Sequence, residues 1–281
     1  MRVRLRAAAL SCLGLLAACR TGQNYPGAVG PRYAGAPPPA AAPALPRGDT
    51  LRLVTFNVQF ARRVDAAAEL LASHPELRGA DVVLLQEMDA PGTRRVAEAL
   101  GLGYVYYPAI AHNRTGRDFG NAVLSRWPIV EDAKIVLPHP SRYARTQRTA
   151  TAATLRVGDV RVRVYSTHLG TLADVGPGAR RDQLRAVLAD AAQHPLVVIG
   201  GDLNDAAVGR VAQDAGYAWP TERGPRTTRL GRWDHILLKG LQSPDSAAAG
   251  TVLDTRGTSD HRPVWAVALL PQVFVAEGAV R

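Results

Sequence analysis

Cysteine is nearly absent from this chain. Its two cysteines, Cys12 and Cys19, both lie in the first nineteen of 281 residues. A disulfide framework, a zinc site with thiolate ligands and a cysteine nucleophile are therefore excluded for the rest of the chain. Lysine is as scarce, with Lys134 and Lys239 among 34 basic residues. Because arginine carries almost all of the basic charge and alanine is abundant, genome-wide codon bias explains the charge better than a dedicated polyanion-binding patch.

The sequence also lacks a clear membrane-spanning segment. The apolar run at residues 7–18 follows three arginines, a layout typical of a secretory signal, and is shorter than the ~20 residues that span a bilayer. Residues 16–19 (LAAC) resemble the lipobox of bacterial lipoproteins. We therefore expect a signal peptide over residues 1–18, lipidation of Cys19 and a membrane-anchored, extracytoplasmic protein. An ordinary signal peptide that is cut nearby is the alternative.

Residues 19–48 contain few large apolar side chains and are dense in proline, alanine and glycine. Such a segment cannot bury enough surface to fold, so we expect a semi-extended tether. The globular pattern covers residues 49–270 without a second domain boundary, and residues 271–281 are predicted to form a tail. Loss of the leader would lower the formal charge from +10 to +7. We expect a monomer.

Strands outnumber helices in the globular part. Apolar alternation, β-branched runs and turn residues predict strands at 51–60, 81–87, 104–107, 121–125, 129–137, 148–157, 160–168, 196–199, 233–238 and 264–270. Helical spacing predicts helices at 64–73, 93–100, 180–193 and 208–214. This mixture predicts an α/β fold of two packed, mixed and mostly antiparallel sheets that are flanked by helices.

The stretch at residues 196–205 organises the functional argument. An uninterrupted apolar run ends in Gly200 and Gly201, and Asp202 and Asn204 follow. This pattern predicts a buried strand that delivers a carboxylate and a carboxamide at its end, while the glycines let another chain or a substrate come close. Other predicted strands also end in or near polar residues, namely Asn57, Glu87, His168, Asp234, and Asp260 with His261.

Seven short motifs in this chain together resemble the endonuclease/exonuclease/phosphatase superfamily. They are residues 54–58 (VTFNV), 84–87 (LLQE), 120–125 (GNAVLS), 166–169 (STHL), 201–204 (GDLN), 233–236 (WDHI) and 259–263 (SDHRP). Their order matches that of the family and covers residues 51–269. The resemblance implies a four-layer α/β/β/α sandwich, a divalent cation, usually Mg²⁺ with Mn²⁺ as an alternative, and hydrolysis of a phosphate ester.

The chemistry of that reaction assigns the candidate roles. A phosphodiester is anionic, so its hydrolysis needs a cation beside the phosphate and a base for the water. Magnesium prefers oxygen ligands, and we expect Glu87 to bind it with support from Asn57 and Asp260. His261 is a candidate base, and Asp234 resembles the family carboxylate that orients it.

Two further assignments remain open at this point. Asp202 is the rival of His261, because in this family it can hold the attacking water. His168 and Asn204 are expected to donate hydrogen bonds to phosphate oxygens, and a charged His168 could assist the leaving oxygen. The sequence around His168 resembles the deoxyribonuclease, sphingomyelinase and 5-phosphatase branches and departs from that of AP endonucleases.

Several residues carry weaker signals. Asn121 fits a Gly-Asn turn better than a phosphate contact, whereas Arg145 and Arg148 fit substrate contacts and solvated positions equally well. We expect four further histidines, His112, His139, His194 and His235, to be structural or exposed.

The sequence thus predicts a Mg²⁺-dependent phosphodiesterase, nuclease-like in its motifs, that acts outside the cytoplasm. Basic charge favours a nucleic acid substrate, the lipid anchor favours a phospholipid, and a small phosphodiester is a further candidate. A phosphatase of the same fold is a further alternative. A surface lipoprotein that binds a ligand without catalysis is the hypothesis from a different class.

Overall fold

The structure is a computed structural model, and it describes residues 23–37, 50–112 and 115–271. The predicted signal peptide, Cys19 and all but the first residue of the predicted tail lie outside these residues.

Thirteen strands and four α-helices form the described part of the chain. The strands are β1 (Gln23–Asn24), β2 (Tyr33–Gly35), β3 (Thr50–Asn57), β4 (Val82–Met88), β5 (Gly103–Ala111), β6 (Asp118–Ser125), β7 (Ile129–Val136), β8 (Thr149–Val157), β9 (Val160–His168), β10 (Val197–Asp202), β11 (Asp234–Lys239), β12 (Ala249–Thr251) and β13 (Val264–Leu269). The helices are α1 (Val64–Ser73), α2 (Ala90–Leu100), α3 (Pro177–Ala191) and α4 (Arg210–Asp214).

The strands form two mixed sheets. The first has eight strands in the order β1-β5-β6-β4-β3-β13-β12, with β2 also paired to β5. The second has five strands in the order β11-β10-β9-β8-β7. Parallel pairing is confined to β3 with β4 and to β9 with β10 among the pairs of named strands in the described chain. The predicted two mostly antiparallel sheets are therefore confirmed.

Helices cover the outer face of each sheet. Helices α1 and α2 pack on the first sheet through one apolar cluster, and α3 and α4 pack on the second through another. The fold is thus the expected four-layer α/β/β/α sandwich. None of the described helices has the length and apolar character that crossing a bilayer requires.

At Gly200 and Gly201 of β10, neighbouring parts of the core approach the backbone closely. Leu53 and Leu84 of the first sheet contribute to the same buried cluster as Val198 of the second. A Cβ atom on Gly200 would lie 2.5 Å from Leu84 Cδ1, and one on Gly201 would overlap a backbone oxygen of β9. The two glycines therefore admit the facing sheet and the neighbouring strand, as the sequence predicts.

The prediction of a tether is wrong for residues 23–37, which we call the N-terminal strap. Its two short strands extend the first sheet, with Asn24 opposite Ile110 and Tyr33 opposite Tyr106. The strap also contacts the second sheet, because buried Lys134 donates to two of its carbonyl oxygens at 2.9 and 2.7 Å. A segment without its own core is ordered here because an existing sheet edge supplies its hydrogen-bond partners.

Local errors in the predictions have identifiable causes. Strand β3 ends at Asn57 rather than at Phe60, because residues 59–61 all have positive φ angles. Helix α2 begins three residues earlier than predicted, at Ala90, because the Asp89 side chain caps it by accepting from the Gly92 amide. The strands β1, β2 and β12 have only two or three residues each, too short for a periodic signal.

Asn121 also differs from its prediction. It lies within strand β6 rather than in a turn, and its side chain is buried. Its Nδ2 donates to the Thr149 carbonyl at 2.6 Å, and its own carbonyl accepts from the Thr151 hydroxyl. Asn121 therefore joins the two sheets through polar contacts.

Candidate active site

The polar residues predicted to end strands meet at one edge of the sandwich, which we call the site edge. Asn57 and Glu87 reach it from β3 and β4 of the first sheet, and His168, Asp202 and Asp234 reach it from three neighbouring strands of the second. Parallel strands end at the same edge, so β9 and β10 place His168 directly opposite Asp202. Residues that are far apart in sequence thus share one site.

Asn57 joins the two sheets at this site. Its Nδ2 donates to Glu87 Oε1 and to Asp202 Oδ2, both at 3.1 Å. Its Oδ1 accepts from the Gln59 amide at 3.0 Å. One carboxamide therefore holds a carboxylate from each sheet at a fixed separation.

Glu87 is held in place by its backbone as well as by Asn57. Its φ angle is +59°, within an irregular stretch of the pairing between β4 and β6. Its second carboxylate oxygen accepts from the Phe60 amide at 2.9 Å. Burial raises the pKa of the Glu87 carboxyl, and the hydrogen bond from Asn57 and the charge of Arg148 oppose that rise.

His261 forms a buried pair with Asp234. Its Nδ1 lies 2.9 Å from one Asp234 oxygen and 3.1 Å from the other, while its Nε2 lies 3.7 Å from Asp202. Burial lowers the pKa of His261, but the charges of Asp234 and Asp202 outweigh it and raise the pKa to about 10. Nδ1 therefore donates to Asp234, and the ring is an imidazolium at neutral pH.

Asp202 is the most central carboxylate of the site. Burial and the neighbouring Asp234 raise its pKa to about 7, against the opposing charge of His261. The Asp202 Oδ1 accepts a hydrogen bond from the backbone N–H of Asn204 at 2.9 Å. A carboxylate with this pKa can take up and release a proton near neutral pH.

His168 is neutral in this environment. Burial, followed by the charges of Arg148 and His261, holds its pKa well below the ordinary value for histidine. Because Arg148 can only donate, the 3.1 Å contact makes His168 Nδ1 an acceptor. The Nε2 proton then points toward Asp202 Oδ2 at 3.3 Å. In this structure the ring is uncharged and its N–H faces a carboxylate, and the phosphate contact of His168 stays a prediction.

The remaining predicted residues lie in different settings. Asn204 is buried, and one of its amide protons is donated to the Leu169 carbonyl at 3.0 Å. Asp260 is exposed, and its carboxylate contacts the hydroxyl of neighbouring Ser259 at 3.5 Å. The structure thus brings Asn57 and Glu87 together, whereas Asp260 lies at the solvent side of the site.

The donor set fits a hard cation. Three carboxylates, from Glu87, Asp202 and Asp234, face two cationic groups, those of Arg148 and His261. The ligand atoms of Asp202, Asp234 and His261 all lie within 4.8 Å of one another. Buried like charges in close proximity favour a bound counter-charge, and carboxylate oxygens are ligands that Mg²⁺ prefers. The geometric cluster differs from the predicted ligand set of Asn57, Glu87 and Asp260.

Two supporting residues, Arg148 and Ser259, were not assigned their contacts from the sequence. Arg148 points inward to His168 from the residue that precedes β8, so it is not a solvated arginine, whereas Arg145 is exposed. The Ser259 hydroxyl donates to the Asn57 carbonyl at 2.7 Å and accepts from the His261 amide at 3.1 Å. The position of Arg148 just before β8, the strand that pairs with β9, was an available signal. The contact of Ser259 with residue 57 was not, because it spans 202 residues.

The four histidines without predicted roles are placed as follows. His235 is buried and accepts from the Trp219 indole at 3.1 Å, and His139 forms an exposed pair with Asp182. The His112 ring packs against Phe60 at 5.2 Å. Burial lowers the pKa of His194.

A cavity of about 400 Å³ opens beside His261. Its lining includes the hydroxyl-bearing Thr227, Thr228 and Ser259, together with Arg229. Arg262 and the carboxylate Asp260 also line it, and the two arginines against one carboxylate suit an anionic substrate.

Comparison with known proteins identifies the family. A sequence model of the Endonuclease/Exonuclease/phosphatase family matches residues 54–261, which include every predicted catalytic and metal-binding residue. The chain belongs to the endonuclease/exonuclease/phosphatase family. As the family name states, its members include nucleases and phosphatases, which hydrolyse phosphate esters, and this chain belongs to that broad class. A search of curated proteins found no match.

Solved structures share the fold at low sequence identity. An endonuclease/exonuclease/phosphatase protein from Beutenbergia cavernae has 22% identity and a TM-score of 0.63, over 79% of this chain and 72% of its own. D. rerio TDP2, complexed with a single-strand DNA product, has 21% identity and a TM-score of 0.60, over 78% and 98%. Sphingomyelinase C from Streptomyces griseocarneus has 19% identity and a TM-score of 0.58, over 79% and 99%. At these identities the likenesses establish the fold and leave the substrate open.

Proposed function

We propose that this protein is a divalent-metal-dependent phosphodiesterase of the endonuclease/exonuclease/phosphatase family, anchored outside the cytoplasm by a lipid on Cys19. The convergence of both sheets on one buried polar site carries the catalytic part of the proposal. Asn57 donates hydrogen bonds to Glu87 of its own sheet and to Asp202 of the other sheet, and Asp234 aligns His261 beside them. A protein that kept this fold only to bind a ligand would not need so many buried, paired charges at this site.

Glu87 is the residue that would hold the cation, with Asn57 beside it. Its carboxylate supplies oxygen ligands of the kind that Mg²⁺ or Mn²⁺ prefers, and the Asn57 Nδ2 fixes its position. A bound divalent ion would neutralise the phosphate oxygens and acidify water.

Asp202, rather than His261, is the base in this proposal. The imidazolium of His261 already holds both of its protons at neutral pH, so it cannot accept another. Asp202, with a pKa of about 7, can take a proton from the attacking water. The water oxygen bonds to phosphorus as the ester P–O bond breaks, the departing oxygen takes up a proton from bulk water, and Asp202 releases its proton to bulk water. His261 donates from Nε2 to the anionic phosphate and stabilises its charge.

The reaction is tested with bis-p-nitrophenyl phosphate as a soluble diester, in the presence of Mg²⁺, Mn²⁺ or a chelator. We expect metal-dependent release of nitrophenol. Glu87→Gln and Asp202→Asn should each lower kcat by ~10²-fold or more, because each removes a charge while keeping its shape.

His139→Ala is the matched control, because it removes a histidine from an exposed ion pair with Asp182. It should hydrolyse the diester at the wild-type rate. Chelator-resistant hydrolysis, or full activity in both site variants, would refute the catalytic assignment.

Lipidation is tested separately by metabolic labelling with an alkyne fatty acid in a bacterial host. Cys19→Ser should abolish the label, and Cys12→Ser should retain it, because Cys12 lies within the apolar part of the leader. Equal labelling of both variants would contradict the assignment of Cys19.

A further inference from the structure

Exposed apolar side chains concentrate at the site edge. Seven large hydrophobic residues are exposed in the described part of the chain, and four of them lie on site-edge loops. These four, which we call the apolar rim, are Tyr143 (73% exposed), Leu172 (56%), Leu230 (74%) and Leu253 (59%). Single exposed leucines are ordinary, but their concentration around one opening is not.

The strand register fixes where these loops lie. Tyr143 lies in the loop between β7 and β8. At that end of the two strands Val136 pairs with Thr149, and the next residue of β8, Ala150, pairs with Thr167 of β9. Leu172 follows β9, and Leu230 precedes β11, which begins at Asp234. All these strand ends lie at the same edge as Asp202.

Leu253 reaches the site edge from the first sheet. It follows β12, whose last residue, Thr251, pairs with Val264 at the start of β13. Val264 also lies opposite Thr55 of β3, two positions before Asn57. At the opposite end of the sandwich, near the start of β7, Val130 is 38% exposed.

Arginines surround the apolar rim. Arg142, Arg145, Arg229 and Arg256 are exposed on the same loops, against the exposed carboxylates Asp254 and Asp260. Leucine and tyrosine side chains among arginines match a lipid surface, where the apolar groups enter the boundary layer and the cations meet anionic headgroups. A polyanion alone would not account for the leucines.

The chain also enters the fold at this edge. In the N-terminal strap, Gln23 pairs with Ala111, the last residue of β5, and the next strand begins nearby at Asp118. Cys19 precedes Gln23 by four residues, which span at most about 14 Å when fully extended. With the lipid on Cys19, the site edge would be confined within about this distance of the bilayer.

We infer that the apolar rim and its arginines form a docking surface for an anionic lipid bilayer, so that the active site opens toward the membrane. This inference rests on the proposed function, because the docked site acts on a substrate only if it is catalytic. It restricts the substrate to phosphate esters present at the bilayer surface. Lipid headgroup phosphodiesters are the chemical class within reach.

The absence of cysteine after residue 19 allows a direct test. A chain that begins at Arg20 keeps every described element, so one introduced cysteine gives a single labelling site. Leu172→Cys and Leu230→Cys are labelled with a polarity-sensitive fluorophore, and Val130→Cys is the matched control. Vesicles contain phosphatidylcholine with or without phosphatidylglycerol.

We expect blue-shifted emission at residues 172 and 230 on vesicles with phosphatidylglycerol, and no shift at residue 130. The same emission with and without vesicles at both rim positions would overturn the inference, as would an equal shift at residue 130. A Leu172→Asp/Leu230→Asp double variant should bind these vesicles at least about tenfold more weakly. Wild-type affinity of that variant would also overturn the inference.

Hydrolysis of the soluble diester separates this inference from the proposed function. The double variant should hydrolyse it at the wild-type rate, since neither leucine is part of the catalytic site. An active protein that ignores vesicles refutes the docking surface alone. A protein that binds vesicles through the rim but hydrolyses no diester refutes the proposed function alone.

Discussion

Replacing His261 with alanine should destabilise the metal-free protein in addition to inactivating it. Asp234 is 1% exposed, and His261 is the partner that holds both of its carboxylate oxygens, at 2.9 and 3.1 Å. Alanine would leave that carboxylate buried without its counter-charge. Removing one partner of a buried pair costs ~3–5 kcal/mol.

The pKa of His261 gives an independent magnitude and a pH dependence. Its rise from 6.5 to about 10 corresponds to about 5 kcal/mol, at ~1.4 kcal/mol for each pKa unit. A base with a raised pKa in the folded state contributes its full stabilisation below the unfolded-state pKa of 6.5. That stabilisation is lost as the pH rises through about 10. The deficit of His261→Ala relative to wild type should therefore be largest at mildly acidic pH and shrink toward pH 10.

Urea unfolding in the presence of chelator, followed by tryptophan fluorescence at several pH values, measures this deficit. The control is His139→Ala, whose partner Asp182 is also bound at 3.0 Å but on an exposed surface. We expect no measurable change there, because solvent screens exposed pairs. The reasoning fails if His261→Ala unfolds at the wild-type urea midpoint, or if its deficit is independent of pH.

Three further predictions concern packing, the strap and the cation. Gly201→Ala should lower the free energy of unfolding by ~3 kcal/mol or more, because its Cβ would overlap the Thr167 carbonyl oxygen. The control is Gly178→Ala in α3, whose Cβ would meet no atom closer than 4.0 Å, and it should unfold like wild type. Lys134→Met should speed hydrogen exchange across residues 23–37, because it removes the donor for two strap carbonyls, and unchanged exchange would contradict that role. Saturating Mg²⁺ should stabilise the fold by ~2–3 kcal/mol and so raise the thermal unfolding midpoint. Glu87→Gln should remove this rise in the midpoint. An equal rise in the variant would exclude Glu87 as a ligand.

The sequence was most informative where one face of an element is buried. The pattern at residues 64–73 predicted α1 to the residue, because its apolar side chains follow the helical period against the first sheet. Strand β9 was likewise predicted with both ends correct. The seven ordered motifs carried the family resemblance that implied the four-layer sandwich.

Long-range partners and edge strands escaped prediction. The strap has a composition that favours disorder, and it is ordered by the free edge of β5 and by Lys134, which lies a hundred residues away along the chain. The neutral state of His168 depends on burial and on Arg148, which no local pattern encodes. Protonation of His261 is likewise set by two carboxylates that approach it only in the folded chain.

The N-terminal strap covers an edge of the first sheet. Without it, β5 would be the outermost strand of the first sheet, as β7 already is in the second. Unpaired backbone along such strands recruits strands from other molecules. By pairing with β5, the strap covers that border, so a chain trimmed past residue 37 should be more prone to aggregation.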